Sequence, residues 1–66
     1  SNAHPELIKL ATYIAGTEFH RRGKETGNEG DLRKAIEIYK AIKAKKPVEE
    51  AEHHLRQLLE KRGGRQ

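Results

Sequence analysis

The chain has 66 residues and a net charge of +4, with 36% charged and 33% hydrophobic side chains and neither cysteine nor methionine. A chain of this size holds one small domain whose core supplies only about 3–5 kcal/mol net, and the lack of cysteine excludes disulfide and thiolate chemistry. No apolar run approaches the roughly 20 residues of a membrane helix, so a soluble, intracellular, cytoplasmic protein with no membrane partner is expected.

In chain order, Ser1-Asn2-Ala3 reads as the scar of a cleaved tag, and the sequence that follows reads as a fragment of a longer protein or an engineered chain. His4-Pro5-Glu6 is a helix start: proline suits the first helical position and the carboxylate suits the positive end of the dipole. Leu7, Ile8, Ala11, Ile14, Ala15 and Phe19 follow at helical spacing as a broad stripe, flanked by Leu10 and Tyr13. The spacing predicts one helix over residues 5–26, with Gly16-Thr17 as its weak point.

Gly27-Asn28-Glu29-Gly30 is a turn in which Gly27 or Asn28 can take the left-handed conformation that closes a helix. Asp31 is the expected cap of a second helix over 31–45. Leu32, Ala35, Ile36, Tyr39 and Ile42 form its apolar face, widened by Ile38, and Lys43, Lys45 and Lys46 compensate the dipole of its last turn. Pro47 is read as the stop, because proline pushes the residue before it out of helical geometry. Glu49 and Glu50 then favour a third helix over 48–62, with Ala51, Leu55, Leu58 and Leu59 on one face and Lys61 and Arg62 in its last turn. Residues 63–66 are expected to fray. The reading is an all-α single domain over residues 4–62, built of three antiparallel helices.

From Phe19 to Pro47 the spacing resembles a tetratricopeptide repeat, a pair of antiparallel helices of about 34 residues. Phe19 stands at the early aromatic, Gly23 at the small residue where the two helices touch, and Gly30-Asp31 at the turn. Leu32, Ala35, Tyr39 and Pro47 match the large residue, small residue, aromatic and closing proline of the second helix. The chain is also similar, more weakly, to the microtubule-interacting-and-transport family, a three-helix bundle with a comparable Gly-x-x-x-Ala-x-x-x-Tyr run. The tetratricopeptide resemblance implies a helical hairpin with the third helix as a cap. It also implies a peptide held in a groove lined by the first helix. Some members clamp acidic chaperone tails, and at the matching positions this chain has His20 and Lys24. His20, Arg21 and Lys24 are therefore the candidate partner contacts, and Phe19, Gly23, Ala35 and Tyr39 the packing residues.

Other chemistry finds little footing. Gly16 to Glu25 lacks the glycine and the Ser or Thr of a phosphate-binding loop. His53 and His54 diverge by about 100° on a helix, so no metal site is expected at them or at His20. The threonines have no base at fixed spacing, so no catalytic residue and no cofactor are assigned. The basic residues carry more. If consecutive helices are antiparallel, Arg21, Arg22, Lys24, Lys61, Arg62 and Arg65 gather at one pole, either as solvated charge near helix ends or as a landing site for an acidic peptide or phosphate. The expected function is a non-enzymatic module that binds an acidic peptide or partner helix. The alternatives are a basic nucleic-acid-binding domain and a structural, oligomerising or designed repeat. A homo-oligomer is compatible with the thin core, through leftover apolar residues such as Leu10, Tyr13 and Val48.

Overall fold

The computed structural model describes residues 4–63, and they form an all-α three-helix bundle: α1 (Pro5–Thr26), α2 (Glu29–Ala41) and α3 (Lys45–Gly63). The expected tag scar, most of the expected frayed tail and Arg65 lie outside the described residues. α1 and α3 each pack on α2, which is the spine of the molecule. α2 supplies Leu32, Ala35 and Tyr39 to the buried core, and α3 adds Ala51. Phe19, Ile36, Ala44 and Val48 close around them.

Glycine sets how close α1 comes to α2. A Cβ on Gly23 would lie 2.7 Å from Leu32 Cγ and 3.0 Å from the Leu32 backbone nitrogen. A Cβ on Gly16 would lie 2.9 Å from the Tyr39 ring and 3.0 Å from Ile38 Cγ2. Gly16, the expected weak point, is thus a second close-packing position, and α1 runs through it unbroken. Gly23 and Ala35 are both buried, as the spacing required, but the residue pressed against Gly23 is Leu32.

This geometry overturns the packing face read from the sequence. Leu7 and Gly16 are nine residues apart, as are Ile14 and Gly23, and nine residues at about 3.6 per turn place side chains on opposite sides of a helix. Leu7, Leu10, Ala11 and Ile14 therefore face away from α2, whereas Tyr13, at the edge of the stripe, sets its ring 5.9 Å from that of Tyr39. α2 is also the shorter helix, 13 residues against 22. Since Gly16 already meets Tyr39, near the end of α2, the first turns of α1 run on past it. Leu7, Ile8, Leu10, Tyr13 and Ile14 are all exposed.

Two boundaries also differ. Asn28, rather than Asp31, caps α2: its Oδ1 accepts the Asp31 N–H at 2.9 Å, and Glu29, Gly30 and Asp31 form the first turn. At the other end α2 stops at Ala41, and Lys43 takes φ +56°. There the Ala44 N–H donates to the Tyr39 carbonyl at 2.9 Å and the Lys43 N–H to the Lys40 carbonyl at 3.0 Å, which is a Schellman closure with lysine in the left-handed position. α1 ends the same way with glycine: Gly27 has φ +67° and the Asn28 N–H donates to the Gly23 carbonyl at 3.1 Å. Pro47 does not stop α2. It lies in the first turn of α3, where its missing N–H would have had no intrahelical partner. Lys45 and Lys46 open α3 instead of ending α2.

Candidate functional site

The topology brings the C-terminal half of α1 beside α3, and the two helices meet at a chain of polar contacts. His20 Nε2 and His54 Nδ1 are 2.8 Å apart, His20 Nδ1 is 3.2 Å from the Tyr39 hydroxyl, and that hydroxyl donates to Thr17 Oγ1 at 3.4 Å. Two nitrogens at that separation share one proton. Both imidazoles protonated on the facing nitrogens would set two N–H groups against each other. Burial lowers the His20 pKa first, then the charges of His54 and Lys24, with Glu50 opposing. His54 is lowered by burial, then by Lys24 and His53, again against Glu50. Burial also raises the Tyr39 hydroxyl, while its bond to Thr17 opposes the shift. The pair is therefore neutral at pH 7, and it stitches α1 to α3 over the edge of α2.

South of this stitch, at the C-terminal ends of α1 and α3, lies an open groove of about 870 Å³. Leu32 and Leu58 give it apolar surface, and Lys24 and Lys61 stand on its two walls, with Glu25, His54, Gln57 and Glu60 around them. A smaller hollow of about 260 Å³ over Tyr39 is rimmed by His20, Arg21, Lys24 and Glu50. The three candidate contacts thus share one rim, and Lys24 is the residue common to hollow and groove.

The arginines of the pole are engaged within the fold. Arg21 holds Glu18 at 2.7 Å and Glu25 at 2.9 Å along α1. Its hydrogen bond pulls the Glu18 carboxyl below the usual range. Arg22 lies 3.5 Å from Asp31 and 4.9 Å above the Phe19 ring, a cation–π contact. Arg62 reaches from α3 to Glu29 at 3.0 Å and to the Gly27 carbonyl at 3.2 Å, tying the last turns of α3 to the α1–α2 turn. Lys24 and Lys61 have no ion-pair partner among the described residues. Arginines bound in this way are fixed structural cations, which leaves the two lysines as the groove's available positive charge.

Sequence reasoning gathered the cations at one pole but missed the His20–His54 contact. It weighed His53 against His54, neighbours that point apart, and not His20 against His54. The signal was present: antiparallel packing that brings Lys24 near Lys61 also sets residues one to two turns back from each helix end side by side. No group of three or more metal-ligating side chains occurs among the described residues, and none of the described helices is long and apolar enough to cross a membrane. No family model, curated protein or solved structure matches the chain.

Proposed function

We propose that the chain is a non-enzymatic helical interaction module that takes an acidic peptide in the groove between the C-terminal ends of α1 and α3. One observation carries the reading: Lys24 and Lys61 face a shared groove without carboxylate partners among the described residues, while Arg22 and Arg62 are each held by one carboxylate and Arg21 by two. Glu25, also in the groove, is itself bound by Arg21, so Glu60 is the one lining carboxylate that opposes an acidic ligand. The apolar floor suits a peptide whose acidic residues alternate with aliphatic ones, and the tetratricopeptide-like spacing points to the same use. Among the described residues no Phe, Tyr or Trp lines the groove, and its one aromatic ring, the His54 imidazole, is tied to His20, which disfavours the nucleic-acid alternative.

Hydrogen bonds to charged groups contribute about 1.5–3 kcal/mol each, and tenfold in affinity is about 1.4 kcal/mol. Calorimetric titration with a peptide of alternating Glu and Leu should thus lose about tenfold or more in affinity for each of Lys24→Glu and Lys61→Glu. Lys40→Glu, at the other pole and outside the groove lining, should leave the affinity within a few-fold. Equal affinity for the lysine variants and the wild type would remove the proposal.

A further inference from the structure

The outward face of α1 is the largest apolar feature that the fold leaves uncovered. Leu7 is 61% exposed, Ile8 54%, Leu10 53% and Ile14 55%, while Tyr13, at the edge of this face, turns its ring toward Tyr39 of α2. Ala11 and Ala15 between them are exposed as well. Together the four large aliphatic side chains present roughly 400 Å² of apolar surface, as large as the whole exposed patch of a typical monomer and of the kind that marks an interaction site. The interior is correspondingly thin, with Leu32, Ala35, Tyr39 and Ala51 as its buried apolar residues.

We infer that this face is covered by the same face of a second copy, the two α1 helices lying antiparallel about a two-fold axis between Leu10 and Ala11. The inference concerns a surface on the far side of α1 from its contacts with α2, and it stands whether or not the groove binds a peptide. Three observations select this occupant. The first is area: two such faces bring at most about 800 Å² together, the size of a weak, concentration-dependent pair. The second is shape. About that axis Leu7 of each copy lies opposite Ile14 of the other, and Leu10 opposite Ala11, so that the bulky leucine at the centre meets a methyl group and the helices can approach. The third is charge. Beyond Ile14 the same side of α1 becomes Glu18, Arg21 and Glu25, joined in one ion-pair ladder. A parallel pair would run each of these against its own copy, carboxylate to carboxylate and guanidinium to guanidinium. The antiparallel pair overlaps apolar with apolar and carries each ladder past the start of the partner's helix. An isologous contact of this kind closes on itself and leaves no face for further growth. α2 and α3 lie on the other side of α1 and do not obstruct it.

Sedimentation equilibrium from low micromolar to millimolar protein tests the pairing. The wild type is expected to move from 7.5 kDa to twice that mass, and the double variant Leu10→Glu/Ile14→Glu to stay at the monomer mass across the range. A wild type that remains monomeric at every concentration, or a double variant that still dimerises, overturns the inference. Because the chain has no cysteine, a second measurement is independent of whether that variant folds. Under mild oxidation Ala11→Cys, beside the axis, should cross-link to its copy, whereas Leu7→Cys, about 10 Å along the helix from its counterpart, should not. Cross-linking of Leu7→Cys in place of Ala11→Cys overturns the antiparallel arrangement.

Discussion

Gly23→Ala sets two opposing terms against each other. Alanine in the interior of a helix is favoured over glycine by about 1 kcal/mol. Against this, the new methyl would sit 2.7 Å from Leu32 Cγ, 2.8 Å from Leu32 Cδ2 and 3.0 Å from the Leu32 backbone nitrogen. Two of these atoms are not the mobile end of a side chain, and Leu32 is 1% exposed with nowhere to turn. α2 must move away from α1, and overpacking of this kind costs about 1–3 kcal/mol. The crowding wins, with a net loss of up to about 2 kcal/mol. In a domain this small each kcal/mol shifts Tm by about 4–8 °C. Thermal unfolding followed by circular dichroism reads the change. Gly63→Ala, where nothing lies within 4 Å, is the control for propensity and should not lower Tm. A Gly23→Ala protein more stable than the wild type would refute the close approach of α1 and α2.

Lys43→Gly should stabilise the protein by about 1 kcal/mol in urea denaturation, because it relieves a left-handed lysine at the end of α2. Gly27→Ala should cost about 1 kcal/mol for the converse reason, since Leu58 Cδ1 at 3.8 Å is an ordinary contact and only the φ of +67° is at issue. Asn28→Ala should cost about 1 kcal/mol by leaving the Asp31 N–H without its acceptor. The histidine pair makes stability depend on pH. Both pKa values are lowered on folding, so the unfolded chain takes up protons first; stability is full above the ordinary value of 6.5 and falls as pH drops through it toward the lowered values. Denaturation midpoints measured from neutral to mildly acidic pH should show that decline, and His54→Asn should flatten it.

Helix type was the most legible property of the sequence, because periodic apolar spacing over long segments reports it directly. The span of α1 follows from Pro5 at its start and Gly27 at its end. The limits of α2 did not follow, since Asn28 and Asp31 are both good caps and only the tertiary turn selects between them. Lys43 in a left-handed conformation leaves no mark in composition, and Pro47 serves as well in the first turn of a helix as beyond the end of one. The apolar stripe of α1 misled for a physical reason. A stripe shows which face needs cover, not what covers it, and the glycines on the other side let α2 come closer there than any larger side chain would allow. Lys24 was legible as a site residue from the predicted pole. The occupation of Arg21, Arg22 and Arg62 by Glu18, Asp31 and Glu29 was not, because those ion pairs depend on rotamers and on how α3 crosses the α1–α2 turn.

Amide chemical-shift mapping with the alternating Glu-Leu peptide tests the proposed function at residue level. The shifts are expected to gather at Lys24, Gly27, His54, Gln57 and Lys61, with Leu7 to Ile14 unmoved. Shifts confined to the outward face of α1, or to Lys40, Lys43, Lys45 and Lys46 at the other pole, would contradict it.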